Sequence, residues 1–297
     1  MSKSLFENEE CRKGFFAVFA AFLLWGHLPL FWWLLREVPA VEILCQRIVW
    51  AFVLILAVLL LRGELGHALL LFKKPKTLLC LMLSCAVLTC NWFTYIWAIS
   101  KGMVLETSLG YYINPLIVIL AGILFFREKG TPALWLALTL CAFGVAFQAI
   151  TLGSVPLVAL ILATSFAVYG IIRKLVAVEA LPGLFVETTF CAVPCLVWLL
   201  WTASQGESHF GTQYIYWSSL MIASGAVTTF PLFLFTFGAR KITLSTIGAL
   251  QYIGPSVTFL LGILVFKEDF NLQRFITFAC IWSALAIYTV DSLRRTR

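Results

Sequence analysis

Charged side chains are scarce in this sequence. Asp, Glu, Lys and Arg make up 12% of its 297 residues, about half the share of a soluble globular chain. With 62% of residues apolar and a mean hydropathy of +0.98, an ordinary solvated domain is excluded and an integral membrane protein is indicated. Histidine is rarer still, at three residues: His27, His67 and His209. There is no Gly-x-Ser-x-Gly, no His-Glu-x-x-His and no Gly-rich phosphate loop followed by Lys-Ser or Lys-Thr, so hydrolase, zinc-protease and nucleotide-driven chemistry have no carrier here. The nine cysteines form no Cys-x-x-Cys and lie near no histidine at metal spacing. They read as buried thiols acting as small hydrophobes. No enzyme activity, cofactor or metal is expected. The pI near 9.0 is not a nucleic-acid signal, because the basic residues sit in short links between apolar runs.

Those runs are the dominant feature. A hydrocarbon core of about 30 Å needs roughly 20 apolar residues per helix. Ten segments approach that length: 14–35, 40–61, 77–99, 105–126, 132–150, 154–172, 182–202, 214–238, 245–266 and 271–291. They are continuous, without the period-two alternation of barrel strands, so they predict helices. The opening MSKSLFENEECRK is mixed in charge and precedes an apolar run of more than twenty residues, which predicts a retained tail rather than a cleaved signal. With both termini cytoplasmic, sixteen of the 21 Lys and Arg fall in inner links. Four (Arg36, Lys101, Lys267 and Arg274) fall in outer ones, and Arg47 lies inside a span. The bias predicts N-in, C-in insertion in the inner (plasma) membrane and an even number of spans.

The chain also repeats itself. Residues 108–128, SLGYYINPLIVILAGILFFRE, match residues 248–268, GALQYIGPSVTFLLGILVFKE, at nine of 21 positions. The matches include Tyr112/Tyr252, Ile113/Ile253, Pro115/Pro255 and Glu128/Glu268. Five spans precede residue 150 and five follow residue 154, so the copies enter the membrane from opposite sides. The expected architecture is all-α: ten transmembrane helices as two inverted five-helix repeats, 14–150 and 154–291, flanked by a cytoplasmic tail, 1–13, and a basic tail, 292–297. Inverted repeats are associated with alternating-access carriers. The longest link, about 62–76, is too short to fold alone.

Polar groups at membrane depth are expensive and therefore point to function. Arg47 is about 10 Å of helix inside the second span. It either snorkels or pairs structurally, or it faces a wet cavity and binds an anionic substrate. Glu42 is five residues away, about 140° around the helix, so a partner for Arg47 must come from another helix. Glu187 is the deepest carboxylate, suited to carry a proton, bind a cationic group or pair with Arg47. Asn91, Thr94, Tyr95 and Ala98 form one polar-aromatic face of the third span; Trp92 and Trp97 lie off it. Trp25-Gly26-His27-x-Pro29 combines a small residue, an imidazole and a kink in the first span, with His27 read as packing or as a proton relay. Pro115 and Pro255 predict paired helix bends, with Asn114 satisfying a freed backbone group or facing the cavity.

The stretches WGHLPLFWWLLREVPAVEILCQRIVW, NWFTYIWA, ETSLGYYINPL, VET and STIGALQYIGP resemble the RarD-like branch of the drug/metabolite transporter superfamily, the EamA-type permeases. The resemblance runs over nearly the whole chain, with the motifs in order. It implies ten helices, cytoplasmic termini, two EamA repeats, a central cavity, and the fifth and tenth helices at the periphery. It also brings a chloramphenicol-related label, with physiological substrates that are poorly defined across the family. Gln46 departs from the family pattern, in which His precedes the Arg, and this removes the basis for a protonation role at that position.

The expectation is therefore a secondary-active transporter of a small organic metabolite or drug. Its central site would use Arg47, Asn91, Tyr95, Tyr111, Tyr112, Asn114, Glu187, Gln251 and Tyr252. Its partners are a small-molecule substrate and the lipid bilayer, with no nucleic acid and with monomer or homodimer left open. A passive channel or facilitator, and less so a non-transporting scaffold, stand beside it.

Overall fold

Backbone N–H and C=O groups find no partner in lipid, so apolar sequence of this kind satisfies them within helices. The computed structural model describes residues 9–126, 131–151, 153, 155–176, 178–239, 241–242 and 250–295, and its regular structure there is entirely helical. The helices are α1 (Glu9–Leu34), α2 (Ala40–Arg62), the short α3 (Leu65–Leu70), α4 (Pro75–Ser100), α5 (Val104–Phe126), α6 (Pro132–Thr151), α7 (Leu157–Leu175), α8 (Ala180–Ser204), α9 (Ile215–Ala239), α10 (Ile253–Leu264) and α11 (Leu272–Arg295). Among the described residues seven of these are long and apolar enough to cross a membrane (α1, α2, α4, α6, α8, α9 and α11), and α7 and α10 contribute shorter apolar helices. Residues 65–70, expected as part of a loop, form α3, so His67 is helical. Arg127, Glu128, Arg240 and residues 243–249, used above for charge bias, the internal repeat and the ninth span, lie outside the described residues, as do 1–8 and 296–297.

Local chemistry sets the boundaries. Pro75 occupies the first turn of α4, where its missing N–H costs nothing. Gly63 closes α2 at φ 67°, its N–H reaching the Leu59 and Leu60 carbonyls. Leucines and valines such as Leu61, Val197 and Leu200 remain exposed on the flanks, as they must where the surrounding solvent is hydrocarbon.

The helices interleave across the middle of the chain. α1 packs on α9 and α10, α2 on α8 and α9, α4 on α7 and α8, and α5 on α7 and α10. α6 packs chiefly on α11, a pair set to one side of the bundle. Small residues allow these approaches, as in membrane bundles generally. A Cβ at Gly26 would lie 2.7 Å from Val257 Cβ, and one at Gly110 would lie 2.8 Å from the Ala159 carbonyl oxygen. The two copies of the Tyr-Ile-x-Pro motif meet directly. Ser108 donates to the Pro255 carbonyl at 2.8 Å, and the Tyr112 and Ser256 hydroxyls are 2.7 Å apart. Pro115 lies inside α5, whereas Pro255 lies in the first turn of α10, just after helical bonding breaks at 251–252.

Between α10 and α11, Glu268 caps the start of α5. One carboxylate oxygen accepts the Leu105 N–H at 3.0 Å, and the other is 3.7 Å from Arg274 Nη1. Burial pushes the Glu268 carboxyl up to about 7, outweighing those N–H groups and Arg274; the neighbouring Glu106 adds a smaller push the same way. Because the protonated form is favoured in the folded state, its contribution to stability is complete below the ordinary carboxylate range. It is lost as pH rises through about 7. The apparent Tm of the protein is therefore expected to fall by about 3 °C more between pH 5 and pH 8 than that of Glu268→Gln, after allowance for solvent screening. Parallel pH slopes for the two proteins in a detergent thermal melt would exclude it.

Candidate functional site

Pro39 immediately precedes α2, and seven residues beyond the first helical residue, Ala40, Arg47 turns into the bundle, 5% exposed. Its guanidinium carbon lies 4.1 Å from the centre of the Trp92 ring and 5.0 Å from that of Trp32. Tyr95 and Tyr111, edge to face at 5.8 Å, pack in the same buried cluster as Trp32 and Trp92. Among the described residues no carboxylate reaches within 4 Å of Arg47. Among the same residues, its Nε and the Trp32 Nε1 are buried without a hydrogen-bond partner. Cation–π contacts of this kind contribute about 2 kcal/mol when desolvated. That offsets part of the cost of burying a charge and leaves donor capacity unused.

Glu187 stands 140 residues after Arg47, the same offset that relates the two Tyr-Ile-x-Pro motifs. It is 1% exposed on α8. Its Oε1 accepts the Ser84 hydroxyl at 2.5 Å and is 3.5 Å from Arg173 Nη1 at the end of α7, while its Oε2 has no hydrogen-bond partner among the described residues. Arg47 and Glu187 do not pair. Beside Glu187, a cleft lined by Ile48, Leu88, Trp92 and Thr188 holds only about 10 Å³, on the order of one water molecule. A much larger cavity, about 680 Å³, opens at the end of the bundle formed by α3, the start of α4 and the α7–α8 link. Cys80 and Pro182 line it, one turn from Ser84 and five residues from Glu187 respectively.

The remaining sequence-predicted residues divide. Tyr95 and Tyr111 join Arg47. Asn91 donates to the Leu162 carbonyl at 3.0 Å and to Ser165 Oγ at 2.9 Å, and Asn114 donates to the Ala163 carbonyl at 2.9 Å. Both asparagines therefore clamp α7 to its neighbours. Tyr112 faces the opposite way, against Phe278 and Trp282 of α11. Tyr252 belongs to that second apolar cluster, beside Gln251 and Thr289. The predicted face of α4 holds: Asn91, Thr94, Tyr95 and Ala98 are all buried.

Several contributors escaped sequence reasoning. Trp92 lies off that face and is nonetheless the nearest ring to Arg47. Arg173 reads as one more inner basic residue. Glu42 is buried, accepting the His209 N–H at 2.8 Å and the Ser208 hydroxyl at 3.0 Å, with its second oxygen 2.9 Å from His209 Nδ1. That carboxylate ties α2 to the α8–α9 link and is not available to Arg47. His27 is exposed, its Nδ1 2.7 Å from the Leu23 carbonyl. Among the described residues no group of His, Cys, Asp and Glu is arranged to hold a metal.

The EamA-like transporter family model matches twice, over residues 12–149 and 154–290. An uncharacterized transporter from Vibrio cholerae is 41% identical over 97% of this chain and 95% of its own length. Protein RarD from Salmonella typhi is 40% identical over 98% and 99%. A more distant relative, chloramphenicol-sensitive protein RarD from Pseudomonas aeruginosa, is 28% identical over 96% of each chain. One solved crystal structure superposes with a TM-score of 0.57 at 19% identity, over 96% of this chain and 99% of the other, a likeness that bears on the fold alone.

Proposed function

The chain belongs to the EamA-like transporter family and is a multi-pass membrane transporter, and from that premise we propose a secondary-active carrier that moves a small organic molecule by alternating access between two inverted halves, 14–150 and 154–291. The helix pairing supports the inverted repeat. Exchanging the halves turns α1–α10 into α7–α5, α2–α9 into α8–α4 and α1–α9 into α7–α4, and it maps α2–α8, α5–α10 and α6–α11 onto themselves; every one of these pairs is in contact. Ten spans with both termini cytoplasmic complete the topology, and the 680 Å³ cavity then opens to the cytoplasm.

The observation that carries the site is the desolvated Arg47, caged by Trp32, Trp92, Tyr95 and Tyr111 and facing no carboxylate among the described residues. An anionic group on the substrate accepts from the Arg47 guanidinium, and the rings seat an aromatic or apolar body. Asn91 and Asn114 hold the wall in place rather than touching substrate. Reconstitution into proteoliposomes tests the proposal: an aromatic carboxylate such as phenylpropionate is expected to show saturable uptake with counterflow. Uptake that neither saturates nor shows counterflow means a pore instead, and no flux of any compound that binds means a scaffold.

A further inference from the structure

Arg173 has a seat built for it. Its guanidinium lies along one face of α8, with Nη2 3.5 Å from the Glu179 carbonyl and Nη1 3.5 Å from Glu187 Oε1. Between these, a Cβ at Gly183 would meet the guanidinium carbon at 2.8 Å. Positions 179, 183 and 187 recur once per turn on one helix face. Only glycine at the middle position opens a slot for a planar cation there. The occupant is held loosely. Charge-assisted N–H···O bonds run to about 2.7–2.9 Å, whereas this ion pair stands at 3.5 Å. Among the described residues, Arg173 Nη1 and Glu187 Oε2 are both buried without a hydrogen-bond partner. Leu175, Val176, Glu179 and Pro182, which flank the seat, line the 680 Å³ cavity.

We propose that Arg173 is an internal counter-ion occupying the cation seat of the transport site, and that the ammonium or guanidinium of the substrate displaces it against Glu187. The inference rests on the carrier reading and narrows its substrate class to molecules with a carboxylate at one end, for Arg47, and a cation at the other. Arg173 is a specificity-determining residue. In the empty protein it neutralises a carboxylate that Ser84 alone does not satisfy, and it sets the threshold a substrate cation must exceed.

Chemical rescue tests the seat directly. Arg173→Ala is expected to lower the Tm of the purified protein, and 10 mM methylguanidinium is expected to restore more than half of that loss. The same addition should act no differently from sodium chloride on wild type or on Arg173→Ala/Glu187→Gln. Phenethylamine should bind Arg173→Ala at least tenfold tighter than wild type. Gly183→Ala, which keeps both charges and fills the slot, should show a gain in the same direction; should that variant fail to fold, Arg173→Met serves in its place. Methylguanidinium acting no better than sodium chloride, or equal phenethylamine affinity for wild type and Arg173→Ala, overturns the proposal. Phenylpropionate binding separates it from the carrier reading. If that binding depends on Arg47 while these signals are absent, only the counter-ion fails; if rescue occurs without Arg47 dependence, the anion site fails and the cation seat stands.

Discussion

Arg47→Met is expected to abolish measurable binding of phenylpropionate while leaving the Tm of the protein unchanged or higher. The two halves of that result have separate causes. A hydrogen bond to a charged group contributes about 1.5–3 kcal/mol, which corresponds to roughly 10- to 150-fold in affinity. Bidentate contact to a carboxylate places Arg47 at the upper end. Stability behaves differently because Arg47 has no carboxylate partner among the described residues. Removing one member of a buried ion pair costs about 3–5 kcal/mol, since the other charge is left uncompensated. Here nothing is stranded, and methionine fills the space between Trp32 and Trp92 with a polarisable chain that packs well on rings. The desolvation cost of the guanidinium disappears with it. Isothermal titration and a detergent thermal melt read the two effects independently. Binding retained within threefold alongside a Tm loss of more than 5 °C would make Arg47 a structural residue and remove it from the site.

Gly225→Val is expected to prevent stable folding. α2 and α9 cross at this glycine, where a Cβ would lie 2.6 Å from the Trp50 carbonyl carbon and 2.8 Å from its oxygen. The obstacle is backbone, so no rotamer change relieves it and the helices have to separate. Overpacking a tight core costs about 1–3 kcal/mol even where side chains can adjust; two branched methyls against a fixed carbonyl exceed that range. Separation also reaches the site, because Trp50 donates to Gln46 at 3.1 Å, adjacent to Arg47. Gly170→Ala on α7 is the control. No described residue lies within 4 Å of the added Cβ, and the change is expected to be neutral or to gain up to about 1 kcal/mol from helix propensity. Fluorescence-detected size exclusion distinguishes the two: a monodisperse, wild-type-like Gly225→Val would show that the crossing tolerates separation.

Much of this molecule can be read from its sequence, and particular elements show why. The span expected at 40–61 is α2 at Ala40–Arg62, and the one at 132–150 is α6 at Pro132–Thr151. Those boundaries fall where charges and prolines interrupt apolar runs, a one-dimensional property. The burial of Asn91, Thr94, Tyr95 and Ala98 together follows from helical spacing alone. Tyr111 and Tyr112 show the limit. They are adjacent and chemically alike, yet one walls the Arg47 cage and the other packs on α11. In a soluble protein the polar face would identify which points inward, but lipid is as apolar as a core, and a helix apolar on every side carries no such mark.

The sequence by itself determined a helical membrane protein with one deep arginine and, 140 residues later, one deep glutamate. These follow from composition, run length and offset, which need no knowledge of neighbours. Only the tertiary structure decided what each charge meets. Arg47 finds tryptophan rings from α1 and α4, Glu42 is taken up by His209, and Glu187 receives Arg173 because Gly183 leaves a slot. Those pairings depend on the rotation and approach of helices far apart in the chain. Small residues at the crossings set that rotation, and spacing along a single helix does not encode it.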